Sequence, residues 1–209
     1  MRNLTLVMNG WGGPVGLGYA VLHPENIRHL VLTNTWGTNV PRLKPRFVPL
    51  GMRIAGYGRI GRRLESWLNL SMHSIFSSRT YRPIGDLAFE AYSYPFRQGE
   101  SRLAISCFSQ MFFNPDPATA AKLARIQAGL KNITAPADIL CGARDPVLGK
   151  LPAYLLRDDL KHAREPVFLP EVSHYFPEEA PNDLAEVVLR GMEPKRASRT
   201  SRNLFKILP

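Results

Sequence analysis

The sequence predicts an α/β fold with a mostly parallel sheet and a helical segment inserted into it. Three observations carry that expectation. The chain opens with a strand, a glycine turn, a helix and a second strand. Two later apolar runs end in loops bearing Asp145 and His174. Between the two halves lies an aromatic stretch broken by proline and glycine.

The first element is Leu4 to Met8, a short apolar run that suits a strand buried on both faces. It leads directly into Asn9-Gly10-Trp11-Gly12-Gly13, and the helix that follows carries Val15, Leu17, Tyr19, Ala20, Val21 and Leu22 around most of its circumference. Pro24 disfavours helix in the residue before it, so this helix ends at His23. Leu30-Val31-Leu32 is the next strand. Such a βαβ unit implies a right-handed crossover and a parallel sheet.

From Thr35 to about Pro115, seven prolines and glycines between Pro41 and Gly61 interrupt the pattern, and aromatic residues become dense. This stretch reads as short helices of an inserted subdomain. Asp116-Pro117 then starts a helix, aspartate as N-cap and proline at the first helical position, running to Leu130. Ala137 to Cys141 is a third strand and Val167 to Leu169 a fourth. A last helix places Leu184, Val187, Val188 and Met192 on one face. The tail after Glu193 lacks periodicity and reads as disordered. The expected organisation is core over 1–36, cap over 37–115, core over 116–192 and a basic tail over 193–209.

Composition excludes several classes. The chain has 209 residues, of which 44% are apolar and 21% charged, which rules out disorder throughout. Two cysteines, Cys107 and Cys141, are too few for a disulfide scaffold and suit a reducing cytoplasm as buried inert thiols. No run approaches the 18 or so apolar residues of a membrane span, and no metal-ligand spacing is present. The net charge of +10 is concentrated. Nine basic residues face Glu65 alone between Pro41 and Arg82, and five face Glu193 alone in the tail. No recognition-helix or zinc-finger pattern accompanies them, so the expectation is a solvated arginine-rich surface without specific nucleic-acid binding; the alternative is a non-catalytic remnant that binds an anionic partner through this basic cap and tail.

The chemistry belongs at the C-terminal ends of the parallel strands, where open α/β sheets place their sites. The glycines around Trp11 allow the tight turn of a nucleophile elbow. Asp145 and His174 follow in the order nucleophile, acid, histidine, the chain order of a hydrolase triad in which the acid orients the imidazole.

Gly10-Trp11-Gly12-Gly13-Pro14, Cys141-Gly142-Ala143-Arg144-Asp145-Pro146-Val147 and Ser173-His174-Tyr175-Phe176-Pro177-Glu178 resemble the elbow, acid loop and histidine loop of haloalkane dehalogenases. Epoxide hydrolases, relatives of these enzymes in the α/β-hydrolase superfamily, share the pattern. The resemblance spans roughly residues 4 to 190. It implies a hydrolase with no cofactor, acting on a small hydrophobic substrate: a halogenated alkane, an epoxide or an ester. It also implies that Trp11 donates its indole N–H to a leaving halide or oxyanion, and that His174, oriented by Asp145, activates water. In the epoxide reading cap tyrosines serve the epoxide oxygen, with Tyr57, Tyr81, Tyr92 and Tyr94 as candidates. Trp67 is expected to pack within the core or cap, and Trp36 beneath the cap.

Two departures qualify the resemblance. The family's nucleophilic aspartate is Gly10 here, so the alkyl-enzyme ester cannot form at that residue. The family also places four strands before the elbow strand, on the order of 100 residues that this sequence lacks. The expectation is a truncated, inactive chain whose first strand presents an apolar edge open to self-association.

Overall fold

The computed structural model describes residues 1–37, 58–69, 85–113 and 115–192. Four strands, β1 (Leu4–Gly10), β2 (Ile27–Thr35), β3 (Ala137–Gly142) and β4 (Val167–Leu169), pair in parallel in the order of the chain. Among the described residues eight α-helices accompany them: α1 (Gly12–Leu22), α2 (Gly58–Leu68), α3 (Asp86–Ser93), α4 (Leu103–Phe113), α5 (Pro117–Leu130), α6 (Leu151–Asp159), α7 (Phe176–Glu179) and α8 (Pro181–Met192). The fold is a partial α/β-hydrolase sheet with helical elements, as the sequence predicts.

Strand periodicity explains how the sheet is covered. Leu30 and Leu32 are fully buried and pack with Met8, Leu17, Leu130 and Ile139 under α1, α5 and α6. Val31, one residue out of phase, packs with Leu140, Phe176 and Val187 under α7 and α8. A strand covered on both sides needs no polar face, which is why the middle of β2, Leu30-Val31-Leu32, is apolar without alternation. β1 departs from that pattern. It is the outer strand of the described sheet, and Val7 is 47% exposed, so the expectation of burial on both faces fails there.

The caps follow local chemistry. Asp116 Oδ1 accepts from the backbone N–H groups of Ala118 and Thr119 at 2.9 and 3.0 Å, satisfying two donors that the first turn of α5 leaves free. Arg102 closes the other end of a helix. Its guanidinium donates to the carbonyls of Ser66 (2.8 Å) and Trp67 (3.3 Å) in the last turn of α2, and to those of Phe96 and Arg97.

Several expectations are corrected. Helix α6 is not legible in the sequence, because Gly149 and Pro152 read as loop punctuation, although proline is compatible with a first turn. Met192 is 56% exposed, off the buried face of α8 that Val187 marks. Trp67 is 84% exposed rather than packed, and Cys107 is exposed rather than buried. Tyr57, Tyr81, most of the basic residues from Pro41 to Arg82, and the tail from 193 lie outside the described residues. Among the described residues no helix is long and apolar enough to cross a membrane.

Candidate active site

Parallel pairing brings the C-terminal ends of all four strands to one edge of the sheet, and the four residues singled out from the sequence stand there or in the loops that leave it. Gly10 ends β1 with φ +52°, in the left-handed region that glycine adopts without the steric cost of a Cβ. A Cβ at this position would meet no heavy atom within 4 Å, so the turn has the room of an elbow but no side chain to use it. Thr35 at the end of β2 holds the turn in place, its hydroxyl donating to the Gly10 carbonyl at 2.5 Å.

Asp145 and His174 meet directly. His174 Nδ1 lies 3.0 Å from Asp145 Oδ2, and the carboxylate is buried while the imidazole is partly so. The other carboxylate oxygen accepts from the backbone N–H groups of Val147 (2.7 Å) and Leu148 (3.1 Å). With Nδ1–H donating to Asp145, the ring leaves Nε2 as the nitrogen able to take a proton.

Asn34 is the component that sequence reading missed. Its amide N–H groups donate to Asp145 Oδ2 at 2.6 Å and to the Ser173 carbonyl at 2.9 Å, while its Oδ1 accepts from Gly142 N–H at 2.9 Å. One buried side chain on β2 therefore fastens the acid loop, the histidine loop and the end of β3 together. Its φ of +39° is a conformation that asparagine tolerates better than most residues. An asparagine between two threonines at the end of a strand gives no signal of this; only the parallel register shows it.

Glu179 plays a similar part for the histidine loop. The buried carboxylate accepts from Ser173 N–H at 2.9 Å, from the Ser173 hydroxyl and from Tyr175 N–H at 3.2 Å, spanning the residues on either side of His174. Glu178, the glutamate that the family pattern picks out, instead accepts from the exposed Tyr92 hydroxyl.

The electrostatics favour a charged acid. Burial pushes the Asp145 carboxyl up, but the charge and hydrogen bond of His174 and the two backbone donors outweigh it and hold the group below its ordinary range. Burial likewise raises the Cys141 thiol to about 11, which makes it inert as a nucleophile. A depressed carboxyl carries a pH prediction. Asp145 contributes stability that is fully present above its unfolded value, about 3.9, and is lost as pH falls through the lower folded value. Urea unfolding at pH 5, 4 and 3 should show a shallower loss of stability in Asp145→Asn than in the parent. The slope that remains in the variant is expected from Asp138, whose carboxyl is also held low beside His29 and Arg164. Equal slopes in parent and variant would refute the assignment.

Trp11 follows Gly10 and precedes the first turn of α1, its ring 5.0 Å from that of Trp36 in edge contact and 5.1 Å from that of Phe108 on α4. Trp36 is 3% exposed, and its indole N–H has no partner among the described residues. The aromatic cluster also takes in Val147 and Leu148, which follow Asp145 and Pro146 in the acid loop. Trp11 thus belongs to the same cluster as two residues of that loop. Tyr94 is exposed and stacks with the Arg97 guanidinium, 4.6 Å from its ring centre. Among the described residues no group of acidic, histidine or cysteine side chains is arranged to hold a metal.

Known proteins resemble this chain in sequence and in fold. No family model matches the chain. It is 29% identical over 186 residues to the cis-3-alkyl-4-alkyloxetan-2-one decarboxylase of Shewanella oneidensis, covering 88% of this chain and 58% of that protein. It is 26% identical over 191 residues to the haloalkane dehalogenase of Mycolicibacterium paratuberculosis, covering 90% of this chain and 60% of that one. Among solved structures, the haloalkane dehalogenase DbeA of Bradyrhizobium elkani superposes with a TM-score of 0.75 at 18% identity, covering 90% of this chain and 68% of that chain. The haloalkane dehalogenase DatA of Agrobacterium tumefaciens superposes with a TM-score of 0.76 at 20% identity, covering 91% and 68%. The chain spans 58 to 60% of the length of these two sequence relatives.

Proposed function

From a chain with the α/β-hydrolase fold and a haloalkane dehalogenase-like sequence, we propose a hydrolase site with its acid–base pair intact and its covalent step missing. The carrying observation is the 3.0 Å contact of His174 with Asp145, set against an unencumbered glycine at residue 10. Asp145 fixes the imidazole so that Nε2 takes a proton from water. Trp11, beside the acid loop, is the donor we assign to a departing halide or an oxyanion. The substrate we expect is small and apolar, in keeping with the aromatic cluster around Trp11. Without a carboxylate at residue 10 there is no group to displace a halide from carbon, whereas an activated ester needs only a base and water.

The experiment compares two substrates on the purified chain. Bromide release from a brominated alkane should stay at background. Hydrolysis of an activated ester such as a p-nitrophenyl ester should exceed background and fall about 100-fold in His174→Ala, the low end of what a positioned general base contributes. Haloalkane turnover abolished by His174→Ala would overturn the proposal, as would ester hydrolysis indifferent to that substitution.

Our reading of the organisation is a core of residues 1–36 and 116–192, a cap of 37–115 and a basic tail of 193–209. The two thiols, neither of them in a disulfide, suit a reducing compartment, and we place the chain in the cytoplasm. Along the edge of β1 that no strand of the described residues pairs we expect self-association, because an unpaired strand edge templates further pairing. Light scattering should then show a mass above that of one chain; a monomer with a cooperative unfolding transition would refute it.

A further inference from the structure

We propose that the face between α2 and α4 is a binding site for a single-chain amphiphile with an anionic head, a carboxylate or phosphate on an alkyl tail. A cavity of about 530 Å³ opens there, lined by Arg59, Ile60, Arg62, Arg63, Ser66 and Leu103. That volume lies within the range of about 300–1,000 Å³ typical of small-molecule sites.

Charge placement is the first argument. Arg59, Arg62 and Arg63 occupy the first two turns of α2, where the helix dipole disfavours cations. Arg62 and Arg63 lie three and four residues after Arg59, on the side of the helix that it occupies, so each raises the energy of Arg59 and is raised by it. No hydrogen bond or ion pair to any of the three occurs among the described residues, and Glu65, the helix's acidic residue, is completely buried. Arg102 provides the contrast a few ångströms of chain away, since its guanidinium is committed to four backbone carbonyls that close the helix. Three arginines placed against both the dipole and one another are stabilised together by one bound anion, and their planar forks suit carboxylate and phosphate oxygens.

The apolar lining is the second argument. Ile60 is 74% and Leu103 41% exposed, and both border the same cavity as the guanidiniums. Inorganic phosphate would leave that surface in water; an alkyl tail on the anion covers it. The proposal stands apart from the hydrolase reading and requires nothing of His174 or Gly10.

Calorimetric titration of the full chain with octyl phosphate tests it, with octanol and inorganic phosphate as the tail-only and head-only probes. Octyl phosphate should bind with one-to-one saturation, at least tenfold tighter than either probe, and more weakly as salt rises. The double variant Arg59→Gln/Arg62→Gln should bind it at least tenfold more weakly. The same variant should melt no lower than the parent, because removing like charges from the start of α2 relieves repulsion, and octyl phosphate should raise the melting temperature of the parent alone. Equal binding of octanol, or of octyl phosphate by parent and variant, would overturn the proposal. So would binding confined to anionic phospholipid vesicles with none to the monomeric amphiphile, which would identify the face as a membrane-surface contact.

Discussion

Replacing Asn34 by alanine is expected to destabilise the chain by about 3–5 kcal/mol and to abolish any His174-dependent hydrolysis. The estimate follows from what one side chain holds. Its removal strips a neutral amide donor from the charged Asp145 Oδ2 and leaves the Ser173 carbonyl and the Gly142 N–H, both in buried surroundings, without their bonds. Each unmet buried group costs about 1–3 kcal/mol, and hydrogen bonds to charged groups lie at the upper end of that range. Domains of this size are stable by only about 5–15 kcal/mol, so the loss is a large share of the total. Two companion variants divide the effect. Asn34→Gly keeps the backbone relaxed at φ +39° and loses only the hydrogen bonds, so it should recover no more than the roughly 1 kcal/mol of strain that alanine adds there. Asn34→Asp keeps the acceptor for Gly142 but sets a second carboxylate against Asp145, and it should be worst near neutral pH and improve on acidification. Urea unfolding of the three proteins decides the matter. A cost below about 1 kcal/mol in Asn34→Ala would mean that the loops are held by other contacts.

Gly142→Ala should be the second severe substitution, through crowding rather than lost bonding. A Cβ on Gly142 would come within 2.1 Å of the Ser173 carbonyl oxygen and 2.5 Å of that of Val172. Those atoms are backbone, so no side-chain rotation relieves the contact, and the histidine loop has to move away from β3. Overpacking costs about 1–3 kcal/mol and more where the neighbours are rigid. We therefore expect about 3 kcal/mol, together with a loss of ester hydrolysis larger than the stability change explains, since the displaced segment immediately precedes His174. Activity measured well below the variant's own melting temperature separates the two effects. Full activity in a folded Gly142→Ala protein would show that the loop tolerates the shift.

The elements that were legible in the sequence share a physical cause. β2, β3 and β4 are short apolar runs bounded by polar loops, and α5 begins with an aspartate and a proline whose roles are fixed by backbone chemistry. Asp145 and His174 were legible because each lies in the loop that follows a strand of a parallel sheet. What escaped notice was set by tertiary context. Asn34 and Glu179 carry their meaning only through groups far away in space or turned inward, and neither Gly149 nor Pro152 announces a helix at Leu151. The misplaced Trp67, Cys107 and Met192 are cases in which apolar character was taken to mean burial, although much of any folded surface is apolar.

The network around Asn34 has a consequence for how this chain tolerates mutation. Among the described residues, every hydrogen bond that positions Asp145 and His174 comes from β2, β3, α7 or their own two loops, and none from Gly10 or the rest of β1. Residue 10 is therefore free to drift without loosening the acid–base pair, while drift at residue 34 is punished as misfolding before any chemistry is lost. Selection for folding alone would keep Asp145 and His174 assembled, whatever residue comes to stand at position 10.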